Sequence, residues 1–589
     1  MPVHFHNVNT IWASVLVETL HRLGLTTAII CPGSRSAPLA VAFAQHPAIE
    51  AIPILDERSA AFFAIGLARH TGIPVALVCT SGTAGANFYG AVIEARESRM
   101  PLLVLTADRP PELRDCNAGQ TVDQQKLYGT FPNWYSELAV PTLDLNLLTY
   151  LRQTLIYAWE RTLHPVAGVV HLNIPYRDPL APIPQPDAQA FADQFPPDFF
   201  STVQPNTSSP TVPHSATLTS RIFPTPFPAC ERGLMIAGLA QPQCPQTYCQ
   251  LVAQLSQALQ VPVLAEGLSP LRNYAKLNPN LISTYDLILR NPELAEKLAP
   301  DWVIRVGEMP TSKTLRQWLA QTQPQQWIID ASDRNLDPLH GKTVHLRSSI
   351  EQVASHLGTP SEFLGESMTY LSLWQHCETQ MRQALDREMA ATEVLFEGKV
   401  AWLLSQYLPE ATPLFIASST PVRDVEFFWQ PGNRAIRPYF NRGANGIDGT
   451  LSTALGIAHR NQSSVLLTGD LALLHDSNGF LVSHQLVGHL TIVLINNEGG
   501  GIFESLPISG FDPPFEQFFA TPQVIDFGPL CLAHGVEYER IESWQQLIHC
   551  LNPLPTEGIR LLEVPCSRKA DAQMRRELFE RLKQSAHWG

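Results

Sequence analysis

Residues 465–503 constrain this chain more than any other stretch: VLLTGDLALLHDSNGFLVSHQLVGHLTIVLINNEGGGIF. An apolar run at 465–467 stops at Gly469-Asp470. A second, at 491–495, stops at Asn496-Asn497 and is followed by Glu498-Gly499-Gly500-Gly501. The chain between them is long enough for a crossover helix, so the two runs are predicted as parallel strands of one sheet. Ligands of open parallel sheets bind beyond the carboxyl ends of the strands. Asp470 and Asn497 stand at two such ends, 27 positions apart. A carboxylate, an amide carbonyl and the backbone carbonyl of Gly499 form an all-oxygen set suited to Mg²⁺, and a magnesium with so few protein ligands ordinarily carries phosphates too. Either half alone reads equally well as a turn or loop; the information lies in the pair.

The same rhythm recurs along the chain. Near the start, apolar runs at 27–30, 50–54, 74–79 and 102–106 alternate with helical stretches at 11–23 (capped by Asn9 or Thr10), 39–44, 59–70 and 88–97, and a run at 168–174 closes the region. The loops that follow the strands are Cys31-Pro32-Gly33-Ser34-Arg35-Ser36, Asp56-Glu57-Arg58, Thr80-Ser81-Gly82-Thr83 and Ala107-Asp108-Arg109. A middle region offers strands at 233–237, 261–265, 302–306 and 326–330; a third offers 414–417, 435–439, 465–467 and 491–495 after a long helical stretch from about 368. At 589 residues the chain is too long for one core. The expected fold is α/β, with three doubly wound parallel-sheet domains at 1–185, 186–367 and 368–589. Residues 178–230, rich in Pro, Ser, Gln and Thr, read as a linker. The middle region lacks G-x-G-x-x-G, so no nucleotide is expected there.

The net charge of −14 and the absence of a basic run argue against a nucleic-acid partner. No uncharged apolar stretch reaches membrane-spanning length, so no membrane partner is expected. Ten scattered cysteines without C-x-x-C, and an N-terminus without a secretion signal, point to buried thiols in a cytoplasmic protein.

Asp470 and Asn497 also resemble the two ends of the thiamine-diphosphate signature, Gly-Asp-Gly followed by Asn-Asn, with Leu471 where the second Gly stands. Glu57 has two readings. It is a first-turn acid complementing a helix dipole, or the carboxylate that hydrogen-bonds the cofactor's pyrimidine ring. The order of Glu57 in the first region and Asp470 and Asn497 in the third is that of 2-oxo-acid decarboxylases and carboligases. In these, the pyrimidine domain of one subunit faces the diphosphate domain of another.

Longer segments narrow the resemblance. Cys31-Pro-Gly-Ser-Arg-Ser-Ala-Pro-Leu39, Asp56-Glu57-Arg58, Thr80-Ser-Gly-Thr-Ala84, Leu105-Thr-Ala-Asp-Arg-Pro-Pro-Glu-Leu113, Asn441-Arg-Gly-Ala-Asn-Gly-Ile-Asp-Gly449 and Asn496-Asn-Glu-Gly-Gly-Gly-Ile-Phe503 resemble the 2-succinyl-5-enolpyruvyl-6-hydroxy-3-cyclohexene-1-carboxylate synthase family. The likeness is dense in the first and third regions and thin in the middle. It implies a transferase of menaquinone or phylloquinone biosynthesis that uses thiamine diphosphate and Mg²⁺, with Mn²⁺ as an alternative. The enzyme would decarboxylate 2-oxoglutarate and add the resulting carbanion to isochorismate by 1,4-addition. A homodimer or homotetramer with active sites at subunit interfaces follows.

The resemblance also implies roles. Glu57, Ser34, Arg35, Gln120 and Ser419 would be catalytic. Glu57, Thr80, Ser81, Gly82, Ser419, Asn445, Ile447, Gly469, Asp470, Leu471, Asn497, Gly499, Gly500 and Ile502 would hold the cofactor, with Asp470, Asn497 and Gly499 on the metal. Ser34, Arg35, Arg109, Gln120, Lys313, Arg423, Arg442, Ile502 and Phe503 would meet substrate. Both substrates are dianions, and Arg35, Arg109, Arg423 and Arg442 suit bidentate carboxylate binding. Singly, each reads as well as a structural ion pair; Ile447 and Phe503 read as well as core, and Lys313 as an exposed helical lysine. Ser418 replaces the family's Asn. No equivalent of the catalytic histidines of related decarboxylases is found. Two alternatives stand beside this reading: another thiamine-diphosphate 2-oxo-acid decarboxylase or carboligase, and a non-catalytic cofactor-binding regulatory protein.

Overall fold

The computed structural model describes residues 3–204, 232–355 and 368–585. Three six-stranded sheets carry the fold, and every recorded strand pairing is parallel. The first contains β1 (Thr27–Ile30), β2 (Glu50–Pro53), β3 (Val75–Cys79), β4 (Leu102–Asp108), β5 (Trp134–Glu137) and β6 (Val169–Pro175), in the order β2-β1-β3-β4-β6-β5. The middle sheet contains β7 (Gly233–Ala237), β8 (Val263–Ala265), β9 (Leu281–Ile282), β10 (Trp302–Val306), β11 (Gln325–Ile329) and β12 (Lys342–Leu346). Its order, β12-β11-β10-β7-β8-β9, is that of the dinucleotide-binding fold. The third contains β13 (Pro413–Ile416), β14 (Arg437–Tyr439), β15 (Ser464–Gly469), β16 (His489–Asn496), β17 (Glu537–Arg540) and β18 (Gly558–Pro565). Its order, β14-β13-β15-β16-β18-β17, repeats the first sheet strand for strand.

Central strands such as β3, β4 and β6 are buried at every position, because helices cover both faces of a parallel sheet. That is why their sequences read as unbroken apolar runs rather than alternating ones. The crossover between β15 and β16 is not one long helix. It is a short helix, Asp470–His475, followed by a 3₁₀ stretch over Ser477–Gln485. The first helix begins at Val8 with Asn7 as its cap, whose side chain accepts from Thr10 N, rather than at Asn9 or Thr10.

Residues 178–204 depart from the linker expectation. They include the helix Pro186–Phe191, and Phe191, Phe195, Phe199, Phe200 and Val203 are buried in the core of the first sheet. The prolines there punctuate a packed strap, and the aromatic residues decide its fate. Residues 205–230 of the expected linker lie outside the described residues.

Contacts divide the chain into two compact units. One draws on Met1–Thr211, Asn441–Asn461 and His475–Gly488, the other on Val212–Phe440, Gln462–Leu474 and His489–Gly589. Within the first unit, the helix Thr450–Ala458 packs on the helix Glu57–Thr71 at glycine contact distance. A Cβ at Gly66 would lie 2.2 Å from Thr453 O, and one at Gly456 would lie 2.1 Å from Phe63 O. This crossing explains the small residues of the 59–70 helix, where Ala60, Ala61 and Ala64 are fully buried. Within the second unit, the middle and third sheets share a fully buried ion pair, Arg272 Nη2 to Glu426 Oε2 at 3.2 Å.

Candidate active site

In the first sheet, strand order reverses between β1 and β3, and the loops beyond these strands interlock. Arg35 is 4% exposed; its backbone N donates to Thr80 Oγ1 at 3.2 Å and its Nη1 to Tyr176 O at 2.8 Å. Ser34 beside it is exposed, while Thr80 and Ser81 are buried. Gln120, at φ 58°, closes onto this turn: Ser81 Oγ donates to Gln120 O and Gln120 Nε2 donates to Ser81 O, both at 3.0 Å. Gly82 N donates to Gln124 Oε1 at 2.9 Å. The structure therefore brings Ser34, Arg35, Thr80, Ser81, Gly82 and Gln120 together.

Glu57 is the first residue of its helix because Asp56 is the cap. Asp56 Oδ1 accepts from Ser59 N at 2.9 Å, and its Oδ2 accepts from Asn478 Nδ2 at 2.7 Å. Glu57 is half-buried, and its Oε2 accepts from Asn87 Nδ2 at 3.3 Å. Arg58 Nη2 donates to His475 O at 2.6 Å. Arg109 follows β4 and is half-buried; its Nε is buried with no hydrogen-bond partner among the described residues. Arg114 ties that loop down, 3.0 Å from both Asp108 Oδ2 and Glu137 Oε2. Burial raises the Asp108 carboxyl above its ordinary range. The loop holding Arg442, Asn445 and Ile447 is anchored by Glu94, whose carboxylate accepts from Gly443 N at 3.0 Å and Ala444 N at 2.8 Å. Asn445 is exposed at φ 61°, and Ile447 is half-buried.

In the third sheet, Asp470 and Asn497 are 4% and 5% exposed, at the ends of the adjacent strands β15 and β16. Asp470 Oδ2 accepts from Gly499 N at 2.7 Å and its Oδ1 accepts from Leu471 N at 2.8 Å. Asp470 and Gly499 are thus held together, and Asn497 stands two residues before Gly499 on the same loop, its Nδ2 donating to Glu397 Oε2 at 3.0 Å. Gly499 sits at φ 133°, and a Cβ there would meet Ala520 O at 2.4 Å, so only glycine fits this turn. Burial raises the Asp470 carboxyl to about 6 against the backbone N–H groups that lower it; a bound dication would favour the ionised form.

Ser419 opens the helix Thr420–Phe428 at φ 77°, the left-handed region that a non-glycine residue occupies only where its surroundings enforce it. Arg423 Nη1 donates to Ser419 O at 2.5 Å. Ile502 and Phe503 are half-buried in the 3₁₀ turn after Gly500, with the Phe503 ring 5.9 Å edge-on to Phe519. Lys313 opens the helix Lys313–Thr322, and its side chain is exposed.

Sequence reasoning missed the supports behind these groups. Gln124 holds the Gly82 turn and also donates to Ala107 O at 3.2 Å and Asn173 Oδ1 at 3.0 Å. Glu397, Asp424, Asp571 and Arg575 form a buried charged cluster beside Asn497. Burial raises the Asp571 carboxyl to about 7. The only sequence signal for this cluster was charge at helix positions that proved to be buried, and a single sequence does not reveal burial.

The residues present fit a metal-bound diphosphate. Asn497 Oδ1 is buried with no hydrogen-bond partner among the described residues, and a Cβ on Gly469 would meet nothing within 4 Å. A buried carbonyl oxygen without a donor costs about 1–3 kcal/mol unless something coordinates it. Among the described residues no group of three or more His, Cys, Asp or Glu could hold a metal. The oxygens present at these strand ends are the Asp470 carboxylate, the Asn497 amide carbonyl and the backbone carbonyl of Gly499, which accepts from Gly501 N at 2.9 Å.

Comparisons with known proteins bear on the fold and on the family. The family model "Thiamine pyrophosphate enzyme, N-terminal TPP binding domain" matches residues 12–127, and "Middle domain of thiamine pyrophosphate" matches 226–416. Benzoylformate decarboxylase from Polynucleobacter necessarius has the same fold (TM-score 0.65, 16% identity, 95% of this chain and 98% of that one). A putative thiamin diphosphate-dependent enzyme from Mycobacterium smegmatis shares it too (TM-score 0.65, 17% identity, 94% and 99%). The 2-succinyl-5-enolpyruvyl-6-hydroxy-3-cyclohexene-1-carboxylate synthase of Trichormus variabilis is 62% identical over 98% of both chains. That of Gloeothece citriformis is 61% identical over 97% of this chain and 98% of its own. At such identity over nearly the whole length, the chain belongs to the 2-succinyl-5-enolpyruvyl-6-hydroxy-3-cyclohexene-1-carboxylate synthase family of thiamine-diphosphate enzymes.

Proposed function

We propose that this protein is a thiamine-diphosphate- and Mg²⁺-dependent carboligase that decarboxylates 2-oxoglutarate and joins the remaining fragment to isochorismate by 1,4-addition. The observation that carries the reading is the Asp470–Asn497–Gly499 group with its unpartnered amide oxygen, in a chain otherwise like the synthases. Bound thiamine diphosphate would supply the nucleophilic carbon and the electron sink for decarboxylation. Asp470 Oδ, Asn497 Oδ1 and Gly499 O would hold its metal, with Gly469, Leu471 and Gly500 lining the diphosphate. Glu57 would exchange a proton with the pyrimidine ring, while Thr80, Ser81, Gly82, Ser419, Asn445, Ile447 and Ile502 bound the cofactor.

Arg35, Arg109, Arg423 and Arg442 would bind the substrate carboxylates, with Ser34, Gln120, Lys313 and Phe503 orienting the carbon chains. Support comes from the placement of Arg35 against the Thr80 turn and of Arg109 just past β4, both in strand-end loops of the first sheet. The domain division 1–185, 186–367 and 368–589 is part of the same reading, with the first boundary moved beyond residue 204 because the strap through Val203 packs in the core of the first sheet.

A homodimer or homotetramer that shares its sites between subunits is also proposed. Leu55, beside the Glu57 turn, is 66% exposed, and Phe511 and Phe518, beyond the Gly499 turn, are 65% and 68% exposed. Large apolar side chains exposed next to site loops are what an interface would cover. A cytoplasmic location fits the free thiols of the described cysteines. No helix among the described residues is long and apolar enough to cross a membrane.

The test is a coupled assay with purified protein, thiamine diphosphate, Mg²⁺ and both substrates, following CO₂ release and isochorismate loss. Loss of both substrates, dependent on cofactor and metal, is expected. CO₂ release with isochorismate untouched would favour a different carboligase, and cofactor binding without CO₂ release would favour a regulatory protein.

A further inference from the structure

We propose that Glu397 is a positioning residue for the divalent cation: by accepting the Asn497 amide hydrogen, it keeps Asn497 Oδ1 turned toward the metal. The inference rests on reading Asp470, Asn497 and Gly499 as the metal ligands.

The two ends of an asparagine amide have nearly the same shape and differ in what they bond. A cation needs the oxygen end. Asn497 Nδ2 donates to Glu397 Oε2 at 3.0 Å, whereas Oδ1, also buried, has no protein partner among the described residues. A carboxylate can only accept, so turning the amide over would set Oδ1 against a carboxylate oxygen. Glu397 therefore selects one of the two orientations.

Glu397 is itself fixed. It is 2% exposed at the start of the helix Glu397–Tyr407. Its Oε1 accepts from Arg575 Nη2 at 2.7 Å, and its backbone N donates to Asp571 Oδ2 at 3.0 Å. Arg575 Nη2 also reaches Asp424 Oδ1 at 2.5 Å, and Asp424 follows Arg423 on the helix that Ser419 opens. One guanidinium from the helix Arg568–Ser585 thus braces both the metal-side amide and the helix bearing a candidate substrate arginine. The arrangement is the amide counterpart of a carboxylate behind a metal-bound histidine.

The test compares wild type with Glu397→Gln, Asn497→Asp, the double variant and Asp470→Ala. The probe is Mn²⁺ in the presence of thiamine diphosphate, with the free ion counted by electron paramagnetic resonance and the melting temperature followed in parallel. In Glu397→Gln the new side-chain amide can donate to Asn497 Oδ1 and so permits the wrong orientation; a loss of about 10–100-fold in Mn²⁺ affinity is expected. Asn497→Asp places a second carboxylate against Glu397 and also weakens binding. In the double variant the introduced glutamine donates to the introduced aspartate, the net charge equals wild type, and a carboxylate oxygen is again left for the metal. Binding is expected to recover well above either single variant.

Wild-type affinity in Glu397→Gln, or no recovery in the double variant, overturns the proposal while Asp470→Ala still loses the ion. If Asp470→Ala binds Mn²⁺ as wild type does, the ligand reading itself falls, and the proposal with it.

Discussion

The first and third sheets share one strand order and put different chemistry on it. Beyond β1 and its counterpart β13 lie Ser34-Arg35 and Ser418-Ser419. Beyond β2 and β14 lie Asp56-Glu57 and Asn441-Arg442. Where β3 and β15 end come Ser81-Gly82 and Gly469-Asp470, and where β4 and β16 end come Asp108-Arg109 and Asn496-Asn497. The first sheet offers hydroxyls, cations and one glutamate at a helix start. The third repeats hydroxyls at Ser418 and Ser419 and a cation at Arg442, and adds the Asp470 carboxylate and the Asn497 amide at the ends of adjacent strands. The helices that follow β2 and β14, Glu57–Thr71 and Thr450–Ala458, meet through Gly66 and Gly456. One topology thus carries two different sets of loops, as expected where function resides in loops on a rigid scaffold.

The sharpest way to break this division is to exchange the two carboxylates for neutral groups. Glu57→Gln should lower turnover by about 10²–10⁴-fold, the range for general acid–base groups, while Mn²⁺ binding stays near wild type. Asp470→Ala should abolish metal binding. If Glu57→Gln turned over normally, or lost the metal as well, the first sheet would not hold the proton-transfer role.

Next come the arginines. Arg109→Ala and Arg423→Ala should each lose about 1.5–3 kcal/mol of a charge-assisted hydrogen bond, or roughly 10–160-fold in kcat/KM. The same loss for both substrates, in separate 2-oxoglutarate decarboxylation and coupled assays, would argue against any division of carboxylates between the sheets.

Packing between the two equivalent helices is tested by Gly66→Ala. Its Cβ would fall 2.2 Å from a backbone oxygen, so a stability loss of about 1–3 kcal/mol is expected from overpacking. Gly469→Ala meets nothing within 4 Å and should leave the melting temperature of the cofactor-free protein nearly unchanged. A Gly66→Ala protein that melts at the wild-type temperature would show the crossing to be looser than described.

The smallest effect concerns pH. His171, buried on β6 with Nε2 2.8 Å from Thr106 Oγ1, has its imidazole pushed down to about 3 by burial. The folded chain then binds fewer protons than the unfolded one between that value and the ordinary histidine value, so stability falls as pH drops below about 6.5. His171→Gln should remove about 1 kcal/mol of that loss between pH values of about 6.5 and 5.5, where the unfolded imidazole passes from half to nearly full protonation, visible in denaturant titrations at the two values. An unchanged slope would mean that other groups control the acid sensitivity of the first unit.

Much of this was legible from the chain. Unbroken apolar runs marked the central strands because two-sided burial leaves no polar alternation to confuse them. The edge strands β5, β9, β12 and β17 carry no such run, and neither does the central strand β18, whose buried Arg560 and Glu563 interrupt its apolar pattern. Several edge-strand residues are half-exposed, as at β5 and β17, and β9 has only two residues. The motif residues were readable because their chemistry is local: Gly499 must be glycine, and Asp56 must cap its helix for Glu57 to open it. The strap at 178–204 was misread because proline content masked a row of aromatic residues whose burial depends on a distant sheet.

The division has a physical cause. Periodicity, turn chemistry and ligand-type side chains act over a few residues, so chain order alone set the parallel α/β class, the strand-end loops and the candidate ligands. Which amide end of Asn497 faces inward, and which charges lie beside it, depends on residues 100 and 178 positions apart, joined as Glu397–Asn497 and Glu397–Arg575. Buried polar groups take their partners from whatever the packing brings near, and only the tertiary structure decided those.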